Sequence, residues 1–350
     1  MNTGLESLEL GQAEVQVTDK KIINGTADVN QLVPIKYDWA WQKYLNACCN
    51  HWMPQEISMT QDYTQWYSNK INDQTKRIVE QALGFFSTGD SIAVNNLVLV
   101  VYRFITAPEV RQYLLRQAFE EAIHTHSYQY TIQSLSLDEK KIFNMYHQIP
   151  SIHAKDAWAL KFIKSLSSAD FKTGTFDSDQ RLLRDLIAFY IVFEGIFFYV
   201  GFVQILTLGR QNLLVGTAEQ IQYILRDESM HVNFGVDLIN QIKAENPHLW
   251  TEKFQNEAIN IIKKGVELEF QYAVDTIKDG VLGLNVELFD EYLKFIANRR
   301  LRQLGLPEQY QGVSNPFPWM SEILDLTKEK NFFESRVIDY QVGGSLDWDD

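Results

Sequence analysis

Residues Leu186 to Leu206, LIAFYIVFEGIFFYVGFVQIL, form a run of 21 that is apolar almost throughout, with Glu194 near its middle. Hydropathy alone allows such a run to span a bilayer. A carboxylate at the centre of a span is costly, however, Gln204 adds a second polar group, and no other stretch of the chain resembles this one. The run is instead expected to be a helix that is apolar on every side because it lies inside a large protein. Glu194 is then a buried acid, which must be neutralised or matched by cations. What matches Glu194 is the question the rest of the sequence has to answer.

The chain can supply a large interior: its 350 residues are 45% hydrophobic and 13% aromatic, enough for one big domain or two. A net charge of −13, with Lys and Arg scattered, argues against nucleic acid or an anionic membrane as partner. The first residues carry neither the basic nor the apolar segment of a secretion signal. Cys48 and Cys49, the two cysteines of the chain, are adjacent. That suits a reducing cytoplasm and leaves the chain without a C-x-x-C dithiol.

Residues 1–30 are polar and aperiodic, and are expected to form a flexible arm. A helical domain is expected over 31–325, followed by an acidic, glycine-containing tail over 326–350 that is disordered when free. Helical spacing covers 37–52 and 74–106, the latter loosened at Ser87-Thr88-Gly89. Thr106-Ala-Pro-Glu109 reads as a capping box opening a helix to about Ser134. Ser136 with Glu139, and Thr217 with Gln220, read as further helix starts, and helices are expected at about 250–278 and 286–303. Strand signals are nearly absent, so the fold class is all-α.

Two of these helices carry Glu-x-x-His: Glu121 with His124, and Glu228 with His231. An offset of three puts each pair on one helix face. A single pair is common by chance and is most simply a surface ion pair. Here Asp90 lies 31 residues before Glu121, and Glu194 lies 34 before Glu228, so the order of acid helix then Glu-x-x-His helix occurs twice. This matches ferritin-like bundles that hold two irons or manganeses between an acid from each of two helices and Glu-x-x-His from the others. Charge supports the match, because four carboxylates balance two divalent cations, whereas four unmatched acids in an apolar bundle are severely destabilising. Oxygen and imidazole ligands suit iron and manganese. Tyr128 lies four residues beyond His124 and shares the same stripe, and Phe198, Phe202 and Ile224 are spaced to face it from the other helices. Spacing leaves two fates for Tyr128: a redox-active phenol beside the metals, or a core tyrosine bonded to a ligand carboxylate.

At these residues the chain resembles the small, radical-generating subunit of class I ribonucleotide reductase. The resemblance runs from about residue 35 to the C-terminus and rests on STGDS around Asp90, FEEAIHTHSY at 119–128, FEGIFFYVGF at 193–202, RDESMH at 226–231 and NPFPW at 315–319. It implies a ferritin-like helical bundle with a dinuclear metal–carboxylate site in its core, held by Asp90, Glu121, His124, Glu194, Glu228 and His231, with Glu121 and Glu228 bridging. It implies that Tyr128 carries a radical shielded by Phe198, Phe202 and Ile224, and that Trp52, Asp227 and His124 form the path out of the site. Tyr340 then relays the radical to a large catalytic subunit, supported by Glu334, and the C-terminal tail docks there. A homodimer is implied as well. Some relatives with similar flanking sequence carry Phe at the position of Tyr128 and Glu at that of Asp90, and use a manganese–iron pair. Asp90 and Tyr128 favour two irons, with two manganeses or a mixed pair as alternatives. The terminal Leu-Asp-Trp-Asp-Asp matches no docking motif residue by residue.

Reducing a ribonucleotide requires thiols near the nucleotide, and two adjacent cysteines without a nucleotide-binding loop do not supply them. Substrate reduction is therefore expected on the partner chain. The competing readings are a ferritin-like oxidase, such as a fatty-acyl desaturase or hydrocarbon monooxygenase, and an iron-storage protein. Neither needs Tyr128 or a tyrosine-bearing tail.

Overall fold

The computed structural model describes residues 16–25, 27, 31–277 and 280–325, and these fold as a bundle of helices with no strand among them. The principal helices are α1 (Asp38–Cys49), α2 (Asp73–Asn96), α3 (Pro108–Ser134), α4 (Pro150–Leu166), α5 (Phe176–Leu186), α6 (Tyr199–Arg210), α7 (Val215–Glu245), α8 (Glu252–Thr276) and α9 (Val286–Gln303). α2 packs along α3 and α6 along α7, while α8 packs on α9, on α4 and on the stretch that follows α5. The all-α expectation holds, and the expected helices at 250–278 and 286–303 are α8 and α9.

The apolar run 186–206 is buried as expected, but it is not one helix. α5 ends at Leu186, a π-helical stretch covers Ile187–Phe193, a turn spans 194–198, and α6 begins at Tyr199. The amide of Glu194 donates to the carbonyl of Phe189 at 3.0 Å, five residues back rather than four. Hydropathy reports composition and is blind to this one-residue change of register, of a kind found often at functional sites. Among the described residues, the helix long and apolar enough to cross a bilayer by length and composition is instead Asp73–Phe104, and most of its apolar part is buried inside the bundle.

Three expected helix starts differ in their caps. α3 does begin with Pro108 in its first turn, but no capping box forms. Thr106 Oγ1 instead accepts from the Gly25 amide at 2.9 Å, and buried Glu109 pairs with Lys20 Nζ at 3.3 Å and accepts from the Lys36 amide at 2.7 Å. These contacts tie down residues 16–25, which were expected to be part of a flexible arm: Lys20, Ile22 and Ile23 are buried. At α7, Thr217 is not the cap. The carboxylate of Asp62 accepts from the Gly216 and Thr217 amides at 2.9 and 2.6 Å, placing an acid where the helix dipole favours one. The helix expected from Ser136 starts at Glu139, capped by Asp138. Nor is α2 loosened at Ser87–Gly89, since Ser87 and Thr88 hydroxyls bond back to the Leu83 and Gly84 carbonyls.

A second π-helical stretch, Leu97–Val101, ends α2, and the two stretches are tied near their starts by Asn96 Nδ2 donating to Asp185 Oδ2 at 3.3 Å. Burial pushes the Asp185 carboxyl up to about 7, opposed by that hydrogen bond. An unfolded aspartate titrates near 3.9. The native state therefore binds the extra proton, so this contribution to stability is full at low pH and is lost as pH rises through about 7. The slope is at most about 1.4 kcal/mol per pH unit. Asp185→Asn keeps the acceptor for Asn96 and should flatten the fall in urea midpoint of the metal-free chain between about pH 4 and 7. An identical pH profile in the variant would contradict this assignment.

Candidate metal centre

Four elements converge on one point in the core: α2 brings Asp90, α3 brings Glu121 and His124, the turn after the π stretch brings Glu194, and α7 brings Glu228 and His231. All six side chains are buried. Donor atoms of Asp90, Glu121 and His124 lie within 4.8 Å of one another, as do those of Glu121, Glu194, Glu228 and His231. Glu121 belongs to both groups. Its Oε2 lies 3.5 Å from His124 Nδ1 and its Oε1 lies 3.3 Å from His231 Nδ1. Glu228 is placed likewise, with Oε1 at 3.3 Å from His124 Nδ1 and Oε2 at 3.4 Å from His231 Nδ1. Each of these two acids thus offers one oxygen to each histidine's side of the site.

The donor set fits a pair of cations. Both oxygens of Asp90, Glu121 and Glu228, Oε2 of Glu194 and Nδ1 of both histidines are buried without a hydrogen-bond partner. Groups of this kind are rarely left alone in a core. Burial pushes Asp90 and Glu194 well above the carboxylate range, and the neighbouring charges of Glu121 and Glu228 respectively push the same way. Burial opposes a charge on His124 and His231, yet the surrounding carboxylates outweigh it and hold both imidazoles well above their ordinary value. Two divalent ions would satisfy these same acids and leave the imidazoles neutral as ligands.

The outward nitrogen of each histidine is held by an acid from the opposite helix. His124 Nε2 lies 3.0 Å from Asp227 Oδ2, and His231 Nε2 lies 2.9 Å from Glu120 Oε2. This exchange fixes ring orientation and raises ligand basicity. Asp227 also accepts from Trp52 Nε1 at 2.9 Å and from Asn50. Trp52 stacks in turn on half-buried Tyr223, with ring centroids 5.2 Å apart. Glu120 accepts from Arg116 Nε at 3.1 Å, whose Nη2 donates to the Asn50 carbonyl at 2.8 Å. Gln117 donates to Glu194 Oε1 at 2.8 Å and accepts from Tyr190.

Trp52, Asp227 and His124, which the resemblance implies as the path out of the site, are joined by these hydrogen bonds, whereas Glu120, Gln117 and Asn50 were not singled out in the sequence. Glu120 was detectable: the doubled motif is acid-Glu-x-x-His, EEAIH and DESMH, with the first acid of each serving the other's histidine. Tyr128 is buried, with its hydroxyl beside Asp90. Burial, with the charge of Asp90 next, holds the phenol well above its ordinary value. The ring packed on Tyr128 is Phe86, 5.6 Å away between centroids, and Phe86 packs at 5.7 and 5.4 Å on Phe198 and Phe202. Phe198 and Phe202 thus stand behind a ring that spacing did not single out. Ile224 is buried. Tyr340, Glu334 and the expected tail lie outside the described residues.

A helical bundle whose paired acids and Glu-x-x-His motifs meet around one buried point defines the class of ferritin-like proteins that hold two metals between carboxylates. Residues 29–316 match the sequence model of the family described as ribonucleotide reductase, small chain. The ribonucleoside-diphosphate reductase subunit beta of Chlamydia pneumoniae is 50% identical over 335 residues, 95% of this chain and 96% of that one. Small chain 1 of the Saccharomyces cerevisiae enzyme is 32% identical, covering 94% of this chain and 77% of its own length. The solved ribonucleotide reductase R2 subunit from Clostridium botulinum superposes with a TM-score of 0.78 at 29% identity, over 87% of this chain and 94% of its own. The chain belongs to the ribonucleotide reductase small-chain family. Its activity is that of a ribonucleoside-diphosphate reductase small subunit.

Proposed function

We propose that Asp90, Glu121, His124, Glu194, Glu228 and His231 hold two metal ions, and that Tyr128 is the residue oxidised to a radical and used for ribonucleotide reduction on a large subunit. The observation that carries this reading is the placement of Tyr128: a buried phenol beside Asp90, in a dry aromatic pocket on the stripe of α3 that also carries Glu121 and His124. When bound, two redox-active ions together with oxygen supply the oxidising equivalent. Tyr128 gives up an electron and its phenolic proton, for which the nearby Asp90 carboxylate, unpartnered at both oxygens, is the acceptor. Phe86, Phe198 and Phe202 exclude water and lengthen the radical's life. Asp227 joins Trp52 to His124 through two hydrogen bonds and so provides the outward path for electron and proton. Asp90 and Tyr128 favour two irons over a manganese–iron or dimanganese pair. Exposed, free Cys48 and Cys49 suit a reducing cytoplasm.

The test is direct. Iron(II) and oxygen added to the metal-free chain should give the absorption and electron-spin-resonance signals of a tyrosyl radical. A chain that stays silent with iron, manganese and a mixture of both would leave Tyr128 a structural residue and favour a different ferritin-like oxidase.

We further propose that the 326–350 tail docks on the large subunit of a homodimeric small subunit, with Tyr340 relaying the radical. An acidic segment with spaced Tyr340, Leu346 and Trp348 suits folding onto a partner. Deleting Gln341 to Asp350 should weaken association and leave the Tyr128 radical intact. Tyr340→Phe should keep association but stop turnover, measured as deoxynucleotide formed with the large subunit. Full turnover by that variant would rule out the relay.

A further inference from the structure

We propose that Lys155, Glu269 and Arg300 are positioning residues of the metal centre: from α4, α8 and α9 they hold the turn 194–198, which carries Glu194 and Phe198, in the register that aims both at the site. The proposal rests on the reading of Glu194 as a ligand.

A change from π-helix to turn leaves main-chain groups without helical partners, and in a dry core each must find another. Here they find side chains of other helices. Arg300 Nε donates to the Gly195 carbonyl at 3.1 Å, Lys155 Nζ donates to the Phe197 carbonyl at 2.7 Å, and the Val200 amide donates to Glu269 Oε1 at 3.1 Å. The three groups are completed around the same segment. Lys155 Nζ pairs with Glu269 Oε2 at 2.5 Å, and Arg300 Nη2 donates to the Tyr199 hydroxyl at 2.7 Å. Gly195 is needed for this approach, because a Cβ there would lie 2.9 Å from Arg300 Nε and 2.4 Å from the Ile191 carbonyl oxygen. Lys155 Nζ also sits 3.3 Å from the centroid of Phe85, whose ring packs on Phe198 at 5.4 Å. One clamp thus touches the segment just after Glu194 and again at Phe198.

Lys155, Glu269 and Arg300 are all buried, and buried ion pairs are weak contributors to stability. Their use is better sought in specificity. A continuous α-helix through 187–199 would satisfy its own backbone and would need no clamp. One residue of register in an α-helix is a rotation of about 100°, which would swing Glu194 and Phe198 off the site. The clamp stabilises the arrangement that a plain helix would outcompete.

The double variant Lys155→Met/Glu269→Met removes both members of the pair together and so strands neither of them, and the neighbouring Asp156, already pushed up to about 7 by burial, can take up a proton. Its metal-free melting temperature should stay near that of the parent chain. Manganese(II) titration followed by electron-spin resonance should show two bound ions in the parent. In the variant, the ion on the Glu194 side should bind at least about ten-fold more weakly, the loss typical of disturbing a ligand's support, while the Asp90 side is unchanged. Glu194→Ala serves as the reference for losing that side alone. A folded double variant that binds both ions as the parent does would overturn the proposal. Should it fail to fold, Arg300→Lys decides, since it keeps the buried cation but cannot reach both Gly195 and Tyr199: selective weakening supports the clamp, and parental binding refutes it. A parent chain that binds no manganese(II), iron(II) or cobalt(II) would overturn the ligand reading of Glu194, and the positioning role with it.

Discussion

Glu121→Ala is expected to cut the metal content of the purified, iron-reconstituted chain from about two ions to one or fewer, the loss due when a shared ligand of a two-metal carboxylate site is removed. Glu121 is the one residue found in both groups of converging donors, with one oxygen on each side of the site. Without it, three carboxylates face two divalent cations. The uncompensated charge then lies in a fully buried core, where an unpaired ion is strongly destabilising. The metal-free chain should respond in the opposite sense, because the variant relieves crowding among acids that burial and mutual repulsion already push toward protonation. Its melting temperature without metal should therefore be no lower than that of the parent. The rise in melting temperature expected of the parent with added iron(II), which follows from selective binding to the native state, should be largely absent. Glu120→Ala is a sharp control. Its side chain supports His231 from outside, so it should weaken metal binding about 10–100-fold without abolishing it. Two ions retained at parental affinity in both Glu121→Ala and Glu228→Ala would refute the assignment of this site.

The converging donors could be read from the sequence because five of the six, all but Glu194, sit on helix faces whose periodicity is local, and because the acid, then Glu-x-x-His order repeats. Features that depend on contacts between distant segments could not. Thr106 and Glu109 have the spacing of a capping box, but Lys20 and the amides of Gly25 and Lys36 claim them. Thr217 loses its capping role to Asp62, some 150 residues earlier. In both cases a local signature met a stronger partner that only the fold brings near. Phe86 and Gln117 were within reach: each lies four residues before a ligand, Asp90 and Glu121, and therefore on the same stripe. The break at Glu194 left no trace in hydropathy because every residue around it is apolar whichever register the backbone takes. Its signal, if any, was the glycine at 195 in the middle of an otherwise bulky run.

Tyr128→Phe should leave fold and metal content intact and abolish the radical. The substitution keeps the ring and nearly all the volume, and volume-conserving changes in a core are tolerated. The hydroxyl it removes lies beside Asp90, an acid that bound cations would satisfy, so little stability should be lost. The charge balance of the site is untouched, because burial and Asp90 keep the phenol protonated at neutral pH. What disappears is the one group on the ligand stripe that can lose an electron and a proton together. After iron(II) and oxygen, the variant should show two bound irons, no tyrosyl signal and no deoxynucleotide formation with the large subunit. Phe86→Ala separates forming the radical from keeping it. Phe86 is the ring packed directly on Tyr128, so its loss should admit water and shorten the life of a signal that still forms. A tyrosyl signal of parental size and lifetime in Tyr128→Phe would move the radical to another tyrosine. Tyr190, linked through Gln117 to Glu194, would then be the first residue to replace.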